Sequence, residues 1–241
     1  MTPTADGLQI DGPFLEGGVL RNFVAGEWLD SDGDRGTNID PATGESLVEV
    51  TQSDQDDAAV ALEAAAAAQP AWSSKSVYER SAILRRAADL IRENSPALAR
   101  MLTLEEGKTI GEAAGEIGRT AETLDVYAGL MYGPIGEVMG GHKPTEQWTF
   151  TQRVPLGVVV AISPWNFPML LPAAKVAAAL ITGNSVVLKP ADSAPLTMAA
   201  FVAILAEAGV PSGVVNLLLG RGSVLGPGLL RAPATAVSFT G

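Results

Sequence analysis

The chain has 241 residues, 47% of them hydrophobic and 18% charged, with a net charge of −11, which suits one large globular domain or two small ones and excludes a disordered chain. The acidic balance, with no Lys/Arg stripe interleaved with aromatics, argues against nucleic acid as a partner. The absence of cysteine excludes a disulfide framework, Cys-ligated zinc and a cysteine nucleophile within these residues.

Residues 1–20 are acidic and broken by Gly and Pro. They read as a mobile arm and lack the basic and apolar regions of a signal peptide, which points to a cytoplasmic protein. "NFVAGEWLD" and "SLVEVTQ" read as short strands of an opening hairpin or meander, with "PATGE" as turn chemistry between them. Asp54 reads as the N-cap of an Ala-rich helix that should end at Pro70. In "VYERSAILRRAADLIREN" the apolar residues Ile83, Leu84, Ala87, Leu90 and Ile91 fall at helical spacing. Ser95 and Pro96 open a further helix that Gly107 ends, and "GEAAGEIGRTAETLDVYAGLMY" is another amphipathic helix.

Beyond Tyr132, "GPIGEVMGG" and "EQWTFTQRVP" read as two strands joined by "HKPT", the alternation in "WTFTQRV" suggesting one exposed and one covered face. An isolated hairpin is marginal, so spacing alone leaves an edge hairpin and a subunit contact equally open. The single histidine, His142 in "GGHKPTE", reads as solvated, which removes the usual supply for metal sites and Ser-His-Asp catalysis. The uncharged run 154–174 contains Pro155, Pro164, Pro168 and Pro172 as well as Asn166. It reads as a buried strand, a turn and a buried helix rather than a membrane span.

A regular alternation follows: strand 157–163, helix 169–183, strand 185–189, helix 196–209, strand 213–219, helix 223–232 and strand 235–239. Continuous Val/Ile/Leu strands separated by helices imply a doubly wound α/β layout with parallel strands covered on both faces. Ligands of such sheets bind beyond the carboxyl ends of the strands. Those ends carry "SPWNFP", "KPADSAP", "GRGSVLG" and "TG", which should share one edge. Asn166 stands there between two prolines, a stiff polar site after an apolar strand. Lys189 and Asp192 in "KPAD" suit a ribose, the acid accepting and the ammonium donating; a solvated loop is the alternative. Gly220, Gly222 and Gly226 precede a helix that could receive a phosphate, although the spacing departs from GxGxxG and a tight turn explains it as well.

"PWNFP", "GNSVVLKP" and "GVPSGVVN" together, with "EEGKTIGEA" upstream, resemble the aldehyde dehydrogenase superfamily from "NFVAGEWLDS" to the last residue. The resemblance implies a Rossmann-like doubly wound parallel sheet with an N-terminal helical segment and a protruding β-hairpin arm. Residues 21–132 and 154–241 would form an incomplete nucleotide-binding domain, 133–153 the oligomerisation arm of a dimer or tetramer, and the catalytic domain would lie outside these residues. It implies oxidation of an aldehyde to a carboxylic acid with NAD, or NADP, as cofactor and no metal. Asn166 would donate to the oxyanion of a Cys thiohemiacetal, and Ser163, Pro164 and Trp165, with Asn166, would line the nicotinamide side. Lys189 and Asp192 would hold the adenosine ribose. Gly220, Gly222 and Gly226 would face pyrophosphate and adenine, and Phe239, Thr240 and Gly241 would begin the next cofactor-contacting turn. The family usually has Glu where Asp192 stands, and its nucleophilic Cys and general-base Glu come after "FTG", beyond Gly241. A superfamily reductase of acyl phosphates or acyl-CoA and a non-catalytic nucleotide-binding protein share these features.

Overall fold

The computed structural model describes residues 12–130, 133, 136–140 and 148–241. Its centre is a six-stranded sheet in the order β12-β9-β10-β11-β3-β4, built from β3 (Asn22–Val24), β4 (Glu27–Leu29), β9 (Val158–Ile162), β10 (Ser185–Lys189), β11 (Val215–Leu217) and β12 (Ala234–Phe239). Strands β9 to β12 are mutually parallel where they pair. The opening hairpin β3–β4 extends the sheet antiparallel through Leu217 opposite Phe23. The chain moves from β9 out to β10 and β11, then returns to the far side of β9 as β12. The topological switch point of the sheet therefore lies between β9 and β12.

Alternate residues of the buried strands enter two cores. Val159, Ala161, Val186 and Leu188 pack with α5 (Leu170–Ile181) and α6 (Leu196–Glu207), backed by α2 (Val77–Glu93), α3 (Ser95–Glu106) and α4 (Ile110–Leu130). Val158, Val160, Val187 and Leu218 pack with Ala58, Ala61, Leu62 and Ala65 of α1 (Gln55–Ser74) and with Leu225 and Leu229 of α7 (Gly222–Leu229). Helices thus cover both faces, as the alternation of apolar strands and helices implies.

Several local expectations change. Part of the expected N-terminal arm is packed: β1 (Leu15–Glu16) and β2 (Val19–Leu20) join β5 (Arg35–Ile39) and β6 (Ser46–Thr51) in a second sheet, and Phe14 and Leu20 are buried. Helix α1 runs through Pro70 instead of stopping there. Proline breaks one intrahelical bond, and the last turn is held instead by Trp72, whose buried indole N–H donates to the Leu180 carbonyl at 3.0 Å. At the other end Asp54 and Asp57 form a reciprocal capping box. Helix α7 is shorter than expected; Gly228 packs so closely on α1 that a methyl there would lie 3.0 Å from Ala58 Cβ. In the strand pair β7 (Val138–Gly140) and β8 (Trp148–Phe150), all six residues are exposed within the described residues of this chain. His142 and the rest of the connecting loop lie outside the described residues.

Two buried glutamates cap the helices that follow β9 and β10. Glu116 of α4 accepts from the backbone N–H groups of Met169 and Leu170, at 3.0 and 3.1 Å, where α5 starts. Glu105 of α3 accepts from Leu196 N–H at 2.5 Å, and from the N–H and hydroxyl of Thr197 at 2.8 and 2.5 Å, where α6 starts. Neither helix has a side-chain cap of its own, so distant carboxylates satisfy the orphan donors.

Burial pushes the Glu105 carboxyl up to about 7, the three donors of α6 only partly opposing it and nearby Glu106 reinforcing it. A carboxyl whose pKa is raised on folding contributes stability below its unfolded pKa and loses it as pH rises through the folded value. Wild type should therefore lose stability relative to Glu105→Gln between about pH 4.5 and about pH 7, by up to roughly 3 kcal/mol in denaturant titrations. A difference that does not change with pH would show that Glu105 does not titrate in this window.

Candidate functional site

The carboxyl ends of the parallel strands meet along one edge. Ser163 N–H donates to the Lys189 carbonyl at 3.2 Å, Thr240 N–H to Ile162 at 3.1 Å, and Leu218 N–H to Leu188 at 3.0 Å. The segments "SPWNFP", "KPADSAP" and "TG" therefore lie side by side. Gly220 and Gly222 follow β11 on the same edge. A methyl on Gly222 would sit 3.7 Å from Lys189 Cε and 4.0 Å from its Nζ, so the N-terminus of α7 closes against the lysine. Gly220 has φ +142° and faces the Ser53 backbone, which a methyl would meet at 2.9 Å. Its conformation and the close approach both require glycine.

Lys189 is buried, with Nζ donating to Asp192 Oδ1 at 2.7 Å and to the Pro190 carbonyl at 2.9 Å. An ammonium carries three donors, so one is left for a ligand. Asp192 is half-exposed at its side chain. Ser163 is buried and its hydroxyl has no hydrogen-bond partner. Buried polar groups are normally satisfied, and an orphan hydroxyl at this edge fits a polar ligand group. Pro164 is half-buried and Trp165 and Asn166 are exposed beyond the strand. Arg221 caps α7 without a side-chain hydrogen bond, leaving the helix N-terminus open to an anion. Gly226 lies one turn inside that helix with open space where a side chain would stand. Phe239, Thr240 and Gly241 are exposed at the end of β12.

The structure thus brings Ser163, Lys189, Asp192, Gly220, Gly222 and Thr240 to one edge of the sheet, with Pro164, Trp165 and Asn166 beside them. Gly226 lies within α7, one turn from its start. A phosphate-bearing ligand with hydroxyls fits these groups: a lysine and carboxylate for hydroxyls, a glycine-lined helix N-terminus for phosphate, and an unpartnered hydroxyl at the switch point. Among the described residues no group of acidic, His or Cys side chains could hold a metal ion. No helix among them is long and apolar enough to cross a membrane.

Three polar neighbours of this edge were not expected. Lys108 Nζ donates to the Asn166 carbonyl at 3.0 Å and to Glu116 Oε2 at 2.6 Å, and lies 4.5 Å over the Phe167 ring. Lys175 of α5 donates to the hydroxyls of Ser238 and Thr240 at 3.1 and 2.8 Å, and burial lowers its pKa. The motif "EEGKTIGEA" contains Lys108, but Glu116 lies beyond it and Lys175 sits mid-helix. Only tertiary packing brings them to the edge.

The aldehyde dehydrogenase family model matches residues 28–241. Phenylacetaldehyde dehydrogenase of Pseudomonas fluorescens is 39% identical over 248 residues, covering 99% of this chain and 48% of that protein. The NADP complex of NADP-dependent glyceraldehyde-3-phosphate dehydrogenase from Bacillus halodurans superposes with a TM-score of 0.87 at 35% identity, over 91% of this chain and 47% of that one. The NAD+ complex of betaine aldehyde dehydrogenase from Staphylococcus aureus gives 0.84 at 34% identity, over 87% and 42%. The chain spans about half the length of the relatives it matches. A doubly wound sheet, a shared strand-end edge and a match over most of its residues place the chain in the aldehyde dehydrogenase family.

Proposed function

We propose that these residues form the coenzyme half of an NAD(P)-dependent enzyme that oxidises an aldehyde to a carboxylic acid. The observation that carries this reading is the convergence of Ser163, Lys189 and the α7 N-terminus on one edge, in a chain of this family. Lys189 and Asp192 would hold the adenosine ribose, and Gly220, Gly222 and the start of α7 would accommodate pyrophosphate, with Gly226 toward the adenine. Ser163, Pro164 and Trp165 would line the nicotinamide side, with Phe239, Thr240 and Gly241 completing the edge. The bound dinucleotide would supply the hydride acceptor.

The remaining chemistry belongs to the aldehyde. A thiolate would attack its carbonyl carbon, and since these residues include no cysteine, that nucleophile would come from outside them. The family's general-base Glu would also lie outside them. The exposed Asn166 side chain would donate its N–H to the oxyanion that forms. Hydride would then leave the carbon, and water would release the acid. Removing one such donor typically costs about 10²–10³ in kcat.

The test is to express the complete reading frame and follow nicotinamide reduction with a panel of aldehydes. Sustained turnover that falls about 10²–10³-fold in Asn166→Ala supports the reading. Turnover unchanged by that substitution would refute the oxyanion role. The 241 residues alone should show no turnover above the blank.

Cofactor choice follows from Asp192, whose carboxylate would repel a 2′-phosphate, while Lys189 would attract it. The carboxylate is the more exposed of the pair, so NAD should bind more tightly than NADP. Calorimetric titration with both cofactors checks this, and equal or tighter NADP binding would contradict it.

The pair β7–β8 presents Val138, Met139, Trp148 and Phe150, between 45% and 72% exposed. Its apolar side chains would be covered by a second copy, giving a dimer or tetramer. Sedimentation of the expressed protein should show a dimer or larger at micromolar concentration, and a monomer would refute this.

A further inference from the structure

We propose that Lys108 and Glu116 are positioning residues that fix Asn166 for oxyanion stabilisation; this rests on the oxyanion reading above. Asn166 stands in an exposed turn between Pro164 and Pro168. The direction of its side-chain amide depends on how the backbone beneath it is held.

That backbone is held twice, and both attachments end on one carboxylate. Glu116 Oε1 accepts from Met169 and Leu170 N–H, at 3.0 and 3.1 Å, just after the turn. Glu116 Oε2 accepts from Lys108 Nζ at 2.6 Å, and the same Nζ donates to the Asn166 carbonyl at 3.0 Å. The path from Glu116 through Lys108, Asn166 and Met169 back to Glu116 is a closed ring. The Glu116 side chain is fully buried and that of Lys108 is 10% exposed, so water competes little for the carboxylate's bonds, while the bond from Lys108 to Asn166 lies at the surface.

The ammonium is located from other sides as well. Glu106 Oε2 lies 3.6 Å away, and the Phe167 ring, next to Asn166, lies beneath it at 4.5 Å. Arg119 lies 5.7 Å from the same ring. A charge with this many partners cannot follow a moving turn, so the turn is made to follow the charge. A displacement of about 1 Å in a catalytic group can cost about 10²-fold in rate, which is the scale on which the ring would matter.

A structural role alone would tie α4 to α5 without affecting Asn166, so the test must separate the two. Lys108→Met leaves Glu116 buried without its partner and could unfold the chain. The double variant K108M/E116Q removes both charges and keeps an oxygen to cap α5. In the 241-residue chain, the Asn166 backbone amide order parameter measured by NMR should fall from about 0.85 to below about 0.6 in K108M/E116Q, with α2 unchanged. An unchanged order parameter at Asn166 would overturn the proposal. In the enzyme expressed from the complete reading frame, K108M/E116Q should lower kcat at least about 10-fold with the KM for the dinucleotide within about twofold. Adding Asn166→Ala to K108M/E116Q should then give no loss beyond that of Asn166→Ala alone. Multiplicative losses would show that the pair acts elsewhere and overturn the proposal. If Asn166→Ala leaves kcat intact, the oxyanion reading fails, while the order parameter still decides whether the ring holds the turn.

Discussion

The buried Glu116 carboxylate is the constraint on which the site edge depends. One of its oxygens meets the first N–H groups of α5, and the other meets Lys108, which in turn meets Asn166. A charge moved out of water has to be repaid by partners, and here the partners are a helix N-terminus and an ammonium. Removing one partner of such a pair typically costs about 3–5 kcal/mol. Fold and site therefore cannot be separated at this point: the interaction that seats α5 on the sheet also sets the turn leaving β9. Glu105 repeats the arrangement one helix further on, where its carboxylate meets α6 just beyond the "KPAD" turn. The helical layer behind the sheet thus reaches through to both turns that follow β9 and β10.

The glycines serve the other face. Gly220 accepts a backbone conformation and an approach to Ser53 that a side chain would block. It lets α7 begin against Lys189, beside Gly222. The order of the strands completes the arrangement, because β12 returns beside β9 and brings Thr240 next to Ile162. Loops from β9, β10, β11 and β12 come together because parallel strands end on one side.

Much of this was legible in the residues. The apolar runs 158–162 and 185–189, each followed by an Ala-rich helix, specify parallel strands by local pattern alone. The polar residues at their ends then fall on one edge by topology. What was not legible depended on pairing between distant segments. Phe23 opposite Leu217 joins the opening hairpin to the central sheet, and no local period reports a partner 194 residues away. Pro70 reads as a helix stop because the rule considers only the local backbone. Trp72 overrides it through a hydrogen bond to Leu180. Nothing in the local pattern around Glu105 and Glu116 marks them as buried, since a carboxylate is normally exposed. Their roles appear only when α5 and α6 are placed against them.

A dinucleotide site at the strand-end edge around Lys189 is tested most directly by titrating NAD into the 15N-labelled 241-residue chain and mapping the amide shifts. Perturbations should concentrate at Ser163, Asn166, Lys189, Asp192, Gly220, Gly222 and Thr240. Shifts concentrated elsewhere, or none at millimolar NAD, would contradict it.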